Sequence, residues 1–292
     1  MEEIILKIRT LKGTYPQLCH AANMLKKNNG LQKLPKEQRI AFAFIAAKYL
    51  QYLENNLQLE GYSDDIIRKR VSLLNEYYNF IHKNNLDNLF SSQGKFRPTI
   101  LEEFLFLLFK DLVEDYQKKL NAKKTLASGS VKAYSNLFYK AKSFEEFVIN
   151  PEIAINEKNQ DYAIYRKFIF TTENHKKVKL QVPALAIEAK TYIDKTMLDG
   201  IIATAEKIKS GNPYAMFISV AETYDVSLGV DPAYSRIDQI YVLRKTTPKS
   251  LESDWKDIDE QVVVRMFHEI RTHLERPWSD IRTRLNQEGV IL

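Results

Sequence analysis

The stretch that most limits how this chain can fold is Val182 to Lys209, VPALAIEAKTYIDKTMLDGIIATAEKIK. Seven of the eight residues from Val182 to Ala189 are apolar or proline. The run is too short for a helix of its own, which predicts a strand buried on both faces. Glu188 and Lys190 are set into the end of that strand. Side chains alternate along a strand, so these two share a face with Ala184 and Ala186, while Leu185, Ile187 and Ala189 take the other. Ionised groups are costly to bury unless they are paired or bound to a metal. Two explanations are open at this point, a metal-assisted hydrolytic site and a structural ion pair.

A second apolar and aromatic run, Asp161 to Thr171, precedes the first and is separated from it by the polar residues Thr172 to Lys177. That is a hairpin pattern. The midpoint between Asp161 and Glu188 falls between Asn174 and His175, so antiparallel pairing sets Asp161 roughly across from Glu188. Like charges placed opposite repel, which favours a cation between them. After Lys190 the spacing predicts a helix over Tyr192 to Ser210, with Ile193, Met197, Ile201, Ala205 and Ile208 on one side and Gly211-Asn212-Pro213 as its stop. A strand over Tyr214 to Glu222 follows at βαβ distance and is expected to lie parallel to the first. A further strand, Ile237 to Leu243, and a helix, Ile258 to Leu274, complete the pattern.

The residues before the hairpin read as helical at first. A long helix is expected over Lys36 to Glu60 with Ile40, Phe44, Ala47 and Leu50 on its apolar side. A second, capped by Ser63, carries Ile67, Val71, Leu74, Tyr78 and Ile81 and ends near Asn84. Asn85 to Pro98 is polar and irregular, which places a boundary there and divides the chain into a helical, basic region, 1–96, and a second domain, 97–292. Thr99-Ile-Leu-Glu102 looks like a capping box opening a helix with Leu101, Phe104, Leu105, Leu108, Phe109 and Leu112 inward. A basic loop is expected from Ala122 to Ser130, then the aromatic segment Tyr134 to Tyr139, then a short helix from Ser143 to Asn150.

Composition narrows the class. With 292 residues, 45% of them hydrophobic, the chain can bury a real core. A single cysteine, Cys19, excludes an internal disulfide framework, and the N-terminus has no signal pattern, so a cytoplasmic location is expected. The longest apolar runs are far too short to span a bilayer, so no membrane partner is expected. The formal charge of +6 lies entirely in the first third, where residues 1–98 hold 15 Lys/Arg against 9 Asp/Glu. Tyr116 to Phe144 adds seven lysines and no acid. Polyanion contact by Lys118, Lys119, Lys123, Lys124 and Lys132, and by Arg68, Lys69 and Arg70, is one reading; solvated faces are the other. His268 and His273, five apart on a helix, do not share a face and make a poor zinc pair. No glycine-rich phosphate loop and no Ser/His/Asp arrangement is present.

An Asp at a strand start, a Glu-x-Lys at the end of the next strand and a following helix resemble the PD-(D/E)xK nuclease core: an α/β (α+β) fold with a mixed β-sheet flanked by helices, here behind an N-terminal helical region. The surrounding blocks resemble the subunits of BbvCI-type Type II restriction endonucleases, which cut duplex DNA at short, asymmetric variants of a palindrome centred on TNAG. The blocks are Arg97-Pro-Thr-Ile-Leu-Glu-Glu-Phe104, Asn159-Gln-Asp-Tyr-Ala-Ile164, most of the opening stretch, Pro213-Tyr214 with Val220-Ala-Glu222, and Ile237-Asp238 with Ile240-Tyr-Val-Leu-Arg244. Together they cover about half the chain. The resemblance implies Asp161 and Glu188 as Mg²⁺ ligands with the carbonyl of Ala189, Lys190 as the catalytic lysine, and Glu102 or Glu103 as an additional acid. Gln160 stands where the motif has proline. Double-stranded DNA is the implied substrate, and a second copy or a related second subunit the implied partner. A catalytically silent DNA-binding or assembly subunit is the alternative.

Overall fold

The structure, a computed structural model, describes residues 1–86, 96–171 and 177–276, with isolated positions after that. Four helices come first: α1 Glu2–Thr14, α2 Cys19–Asn29, α3 Lys36–Gln58 and α4 Asp64–Lys83. Then follow α5 Pro98–Lys119, β1 Leu126–Lys140, α6 Phe144–Ile149, β2 Glu152–Thr171, β3 Lys177–Ile193, α7 Lys195–Gly211, β4 Met216–Tyr224, β5 Gln239–Val242, α8 Pro248–Ser253 and α9 Glu260–Glu275. The strands form one mixed sheet in the order β1-β2-β3-β4-β5. β1, β2 and β3 run antiparallel, while β4 lies parallel to β3 and β5 parallel to β4.

Alternation along the strands sends two sets of side chains to two different cores. Ala163, Ala186, Phe217 and Ala221 pack with Leu198, Ile201, Ala205 and Ile208 of α7. Tyr162, Ile164, Leu185, Ile187, Ile218 and Val220 join the apolar sides of α5 and α9, and that core continues without a break into α1 to α4. Apolar packing therefore crosses the expected boundary at residue 96; the polar stretch that marked it lies mostly outside the described residues. Ala163 and Ala186 face α7, which lets that helix sit close to the sheet.

The hairpin is formed by β2 and β3, with pairs Tyr162–Ile187, Ala163–Ala186 and Ile164–Leu185. The register then shifts, because Tyr165 pairs with Pro183 and leaves Ala184 as an extra residue. A proline has no ladder N–H to give, and beside a bulge it costs the sheet little. The expected turn, 172–176, lies outside the described residues.

Several expectations meet corrections. The side of α3 that faces the core is Phe42, Ile45, Tyr49, Leu53 and their neighbours, whereas Ile40 and Phe44 are 49% and 61% exposed. Two apolar stripes compete on that helix and share Leu50; the one carrying Tyr49, Tyr52 and Leu53 buries more surface and wins. The α5 start is set by Pro98 at its first position rather than by a capping box, and the Thr99 hydroxyl donates to the Phe96 carbonyl. The segment expected as a basic loop to Ser130 is already strand from Leu126. The helix expected from Tyr192 begins at Lys195, since Asp194 caps it by accepting from the Met197 amide at 2.7 Å. The α4 stripe, the Ser63 cap, the inward face of α5 and the parallel β3–β4 pair are as expected.

Gly211 ends α7 against β1 at a separation no other residue tolerates. A Cβ there would lie 2.0 Å from the Ser135 carbonyl oxygen. Gly211→Ala is therefore expected to lower stability by about 1–3 kcal/mol, the usual cost of forcing atoms into a packed contact. Urea unfolding of the variant checks this; an unchanged midpoint would show that β1 moves aside freely.

Candidate active site

The β2–β3 ladder stops at Tyr162–Ile187, one pair short of Asp161 and Glu188. Beyond that point the Ala189 amide donates to the Asp161 side chain, at 2.9 Å from Oδ2, instead of to a main-chain carbonyl. The end of the ladder is thus closed by a carboxylate. Lys190 lies between the two acids, its Nζ 2.9 Å from Glu188 Oε1 and 3.3 Å from Asp161 Oδ2. The three groups predicted from strand alternation and hairpin symmetry are together in one cluster.

The electrostatics follow from partial burial. Burial raises the Glu188 pKa above its ordinary value and the neighbouring Asp161 raises it further, while Lys190 and Lys158 oppose. Burial works against the charge on Lys190, but Asp161 and Glu188 outweigh it and hold its pKa above the usual lysine value. Lys190 is a cation at neutral pH. Glu188 Oε2 is buried with no hydrogen-bond partner among the described residues. A buried acceptor without a donor costs about 1–3 kcal/mol, and a cation is what such an oxygen accepts.

Asp161 and Glu188 open into a cleft of about 460 Å³ that is also lined by Lys132, Glu157, Lys158 and Asn159. Lys132 was expected to contact a polyanion, and it is the one basic residue of that set that lines this cleft. Glu157 and Lys158 were missed, because nothing in the sequence marks where β1 runs beside β2; only the register, with Lys132 opposite Asn159 and Ala133 opposite Lys158, brings them in.

A second ionic cluster lies on the other side of the sheet. The Glu222 carboxylate is fully buried and accepts from Arg244 Nε at 2.9 Å, Arg97 Nη2 at 3.0 Å and the Tyr78 hydroxyl at 3.0 Å. Burial alone would raise its pKa, yet Arg97 and Arg244 hold it below the ordinary value. Arg244 lies over the rings of Tyr78 and Trp255. Arg97, Glu222 and Arg244 come from three separate blocks of the family resemblance, and the fold brings them to one point.

Comparison with known proteins gives the family and the fold. The family model described as Bpu10I restriction endonuclease matches residues 93–268, more than half of the chain. The chain belongs to the Bpu10I restriction endonuclease family. A solved structure titled native BbvCI A2B2 tetramer at low resolution superposes with a TM-score of 0.68 over 89% of this chain and 95% of that one. Its identity is 21%, so the likeness is one of fold. No match is found among curated proteins. Membership in the Bpu10I family implies a nuclease. No helix among the described residues is long and apolar enough to cross a membrane.

The remaining expected residues part company. Glu103 is buried on the helical side, accepting from the Ala21 amide at 3.0 Å and the Tyr49 hydroxyl at 2.7 Å, so it is not an additional acid for the cleft. Glu102 lies near Cys19, whose thiol pKa it helps to raise, again on the helical side. Arg70 is buried and bonded to Asp111 and to the carbonyls of Asn56 and Leu59, which removes it from any nucleic-acid surface. Arg68 pairs with Asp64, Asp65 and Glu260, and only Lys69 of that triplet is exposed. Lys118, Lys119, Lys123 and Lys124 are exposed at the end of α5 and the following turn. Lys118 and Lys123 line a separate recess of about 460 Å³. His268 and His273 line one recess after all, with Asp238 and Glu269. No three His, Cys, Asp or Glu side chains converge to hold a metal among the described residues.

Burial of Glu103 carries a pH signature. Desolvation pushes its pKa up to about 7 against the donors from Ala21 and Tyr49. The folded value lies above the unfolded one, so the contribution is fully present below pH 4.5 and is lost as pH rises through 7. Relative to Glu103→Gln, the wild type should lose about 3 kcal/mol between those limits. Denaturant unfolding of both chains at pH 5 and pH 8 measures it; parallel stabilities would mean that Glu103 is ionised in the folded state.

Proposed function

We propose that the chain is a catalytic subunit of a Type II restriction endonuclease that hydrolyses phosphodiesters of double-stranded DNA, dependent on Mg²⁺, at a short specific site centred on TNAG. The observation that carries this reading is the clustering of Asp161, Glu188 and Lys190 at the open end of the β2–β3 ladder in a member of this family.

The donor set fits a hard divalent cation. Asp161 and Glu188 supply carboxylate oxygens, and Glu188 Oε2 has an unfilled lone pair. The amide and carbonyl of one strand residue point to the same neighbour, and the Ala189 amide points at Asp161, which directs the Ala189 carbonyl to the same side. When bound, Mg²⁺ acidifies water and offsets charge on the phosphate. The chain's own part is to hold the metal with these three oxygens and to keep Lys190 charged, where it orients the attacking water and stabilises charge developing on the phosphate. Lys132 and Lys158 line the cleft wall and supply positive charge for the DNA backbone there.

One such set hydrolyses one strand at a time, so a double-strand break needs two chains. The solved BbvCI relative is titled an A2B2 tetramer. Two related but unequal subunits read an asymmetric site, whereas two identical ones around a twofold axis read a palindrome. The chain is therefore taken to work beside a related subunit on DNA.

Asp161→Ala or Glu188→Ala should lower plasmid cleavage in Mg²⁺ at least 100-fold, with DNA retained in a gel shift. Full activity in either variant would sink the assignment. Glu188→Ala assembled with an intact related subunit should give open circles nicked in one defined strand; linear DNA at the normal rate would remove Glu188 from both centres.

The lysines of the α5 end allow a separate check. Neutralising Lys118, Lys119, Lys123 and Lys124 together should weaken binding to all sequences alike and flatten its salt dependence, because phosphate contacts release counterions without reading bases. A changed sequence preference would instead place these lysines in a groove.

A further inference from the structure

β2 pairs with β3 only from Tyr162 onward. On the other side of the catalytic acids, Glu152 to Gln160 pair with β1 alone among the described strands. A two-stranded ribbon therefore starts at Asp161 and leads away from it. One of its faces is closed near the cleft, because Val131 and Ala133 pack into the α7 core and Ser135 lies against Gly211. The other face is open. Lys132 pairs with Asn159 and Tyr134 with Glu157, and directly opposed residues of an antiparallel pair share a side. Lys132, Asn159 and Glu157 are all exposed there.

Lys132, Glu157, Lys158 and Asn159 line the same cleft as Asp161 and Glu188. The two lysines suit phosphates, but a carboxylate does not. Among the described residues no hydrogen bond or ion pair engages the side chain of Glu157 or Asn159. A free carboxylate in a cleft that receives a polyanion weakens binding unless it has something to accept. Glu157 is four strand residues from Asp161, about 13 Å, too far to share an ion with it, and no three metal-ligating side chains converge among the described residues.

The chemistry of duplex DNA narrows what remains. Phosphate oxygens and the base atoms O6, N7 and O4 only accept, so a carboxylate bonds to the duplex at exocyclic amino groups. The major groove, about 12 Å wide, admits a two-stranded ribbon. There cytosine offers N4 with no acceptor of its own beside it. Adenine N6 lies next to N7, a donor–acceptor pair that repels a carboxylate and matches a carboxamide. Glu157 and Asn159 are one of each.

We infer that the open face of the β1–β2 ribbon, beside the catalytic cleft, reads bases in the major groove, with Glu157 accepting from a cytosine N4 and Asn159 bonding an adenine at N6 and N7. Lys132 and Lys158 hold the backbone. This deepens the function proposed above and rests on DNA being the substrate. Glu157 and Asn159 are two residues apart on one strand, about 7 Å, so they reach bases about two steps apart at about 3.4 Å per step.

The enzyme in its native assembly is incubated with a randomised duplex library in Ca²⁺, and the bound DNA is recovered and sequenced. The wild type should enrich one site. Glu157→Ala should lose preference for one C·G pair and Asn159→Ala for one A·T pair, each roughly tenfold, the scale of one base contact. The two positions should lie about two steps apart, with the rest of the site unchanged. Both side chains are outside the core, and an unchanged thermal transition verifies folding. Exchange of the two chemistries is the second reading: Glu157→Gln should turn its position from cytosine to adenine, and Asn159→Asp should turn its position from adenine to cytosine. Unaltered preferences in all four variants overturn the inference, as does a wild type that enriches no sequence. Glu157→Ala binding every sequence more tightly by the same factor overturns it too, since Glu157 would then only repel phosphate. Mg²⁺-dependent cleavage is scored in parallel. Enrichment without cleavage removes the nuclease reading and leaves the base reading standing, so the two failures are told apart.

Discussion

A fully buried carboxylate, Glu222, holds together parts of this protein that are far apart in the chain. Its oxygens are shared by Tyr78 from α4, Arg97 at the head of α5 and Arg244 just past β5, while the other end of the Arg244 guanidinium reaches the Lys256 carbonyl. Taking a carboxylate out of water is unfavourable by several kcal/mol, and only two guanidiniums and a phenol in good geometry offset it. Deleting one partner leaves a buried charge, which is far worse than lacking the pair altogether. The arrangement tolerates little variation, and it accounts for the family resemblance having blocks around residues 97, 222 and 244 where no chemistry occurs. It also fixes how the helical layer meets the sheet, and so where β3 and β4 end.

That constraint separates two kinds of charged group. On the α4–α5 side of the sheet, ionic groups are sealed: Glu222 is held charged by arginines, Glu103 is held by two donors and burial, and His20 sits between Thr99 and Tyr77, its pKa lowered to about 3 by burial. On the α7 side, Asp161, Glu188 and Lys190 are partly open and one carboxylate oxygen stays without a donor. Groups sealed from water contribute to architecture, even where, as at Arg244 Nη2, one atom lacks a partner among the described residues. Unsaturated ones next to a cleft can bind and react.

How much of this was legible in the sequence follows from the range of each signal. Strand alternation and hairpin symmetry are local, and they place Asp161, Glu188 and Lys190 on one face. The stripe of α4 was readable because it is the only apolar face that helix offers, and the inward residues of α5 were readable because that helix is buried on nearly every side. α3 offers two, and the choice depends on which neighbour packs there, a question periodicity cannot answer. Glu103 and Arg70 were misread for a related reason: charge in a helix reads as surface, and their partners lie 82 and 41 residues away. The length of β1 was hidden because Ala127-Ser-Gly-Ser130 is turn-like in composition, while the pairing that makes it strand comes from β2.

The same reasoning applies to the end of β1 and to α6, which read in sequence as an aromatic segment and a short capped helix and are an exposed apolar surface in structure. Within one chain, an apolar residue is either buried by its own fold or left for another molecule, and composition does not distinguish the two. Most large apolar side chains among the described residues find a place in one of the two cores. Phe144, Val148 and Ile149 do not, although α6 is capped as carefully as α4. A helix stabilised at its ends but not along its face has its shape paid for locally and its packing supplied from outside.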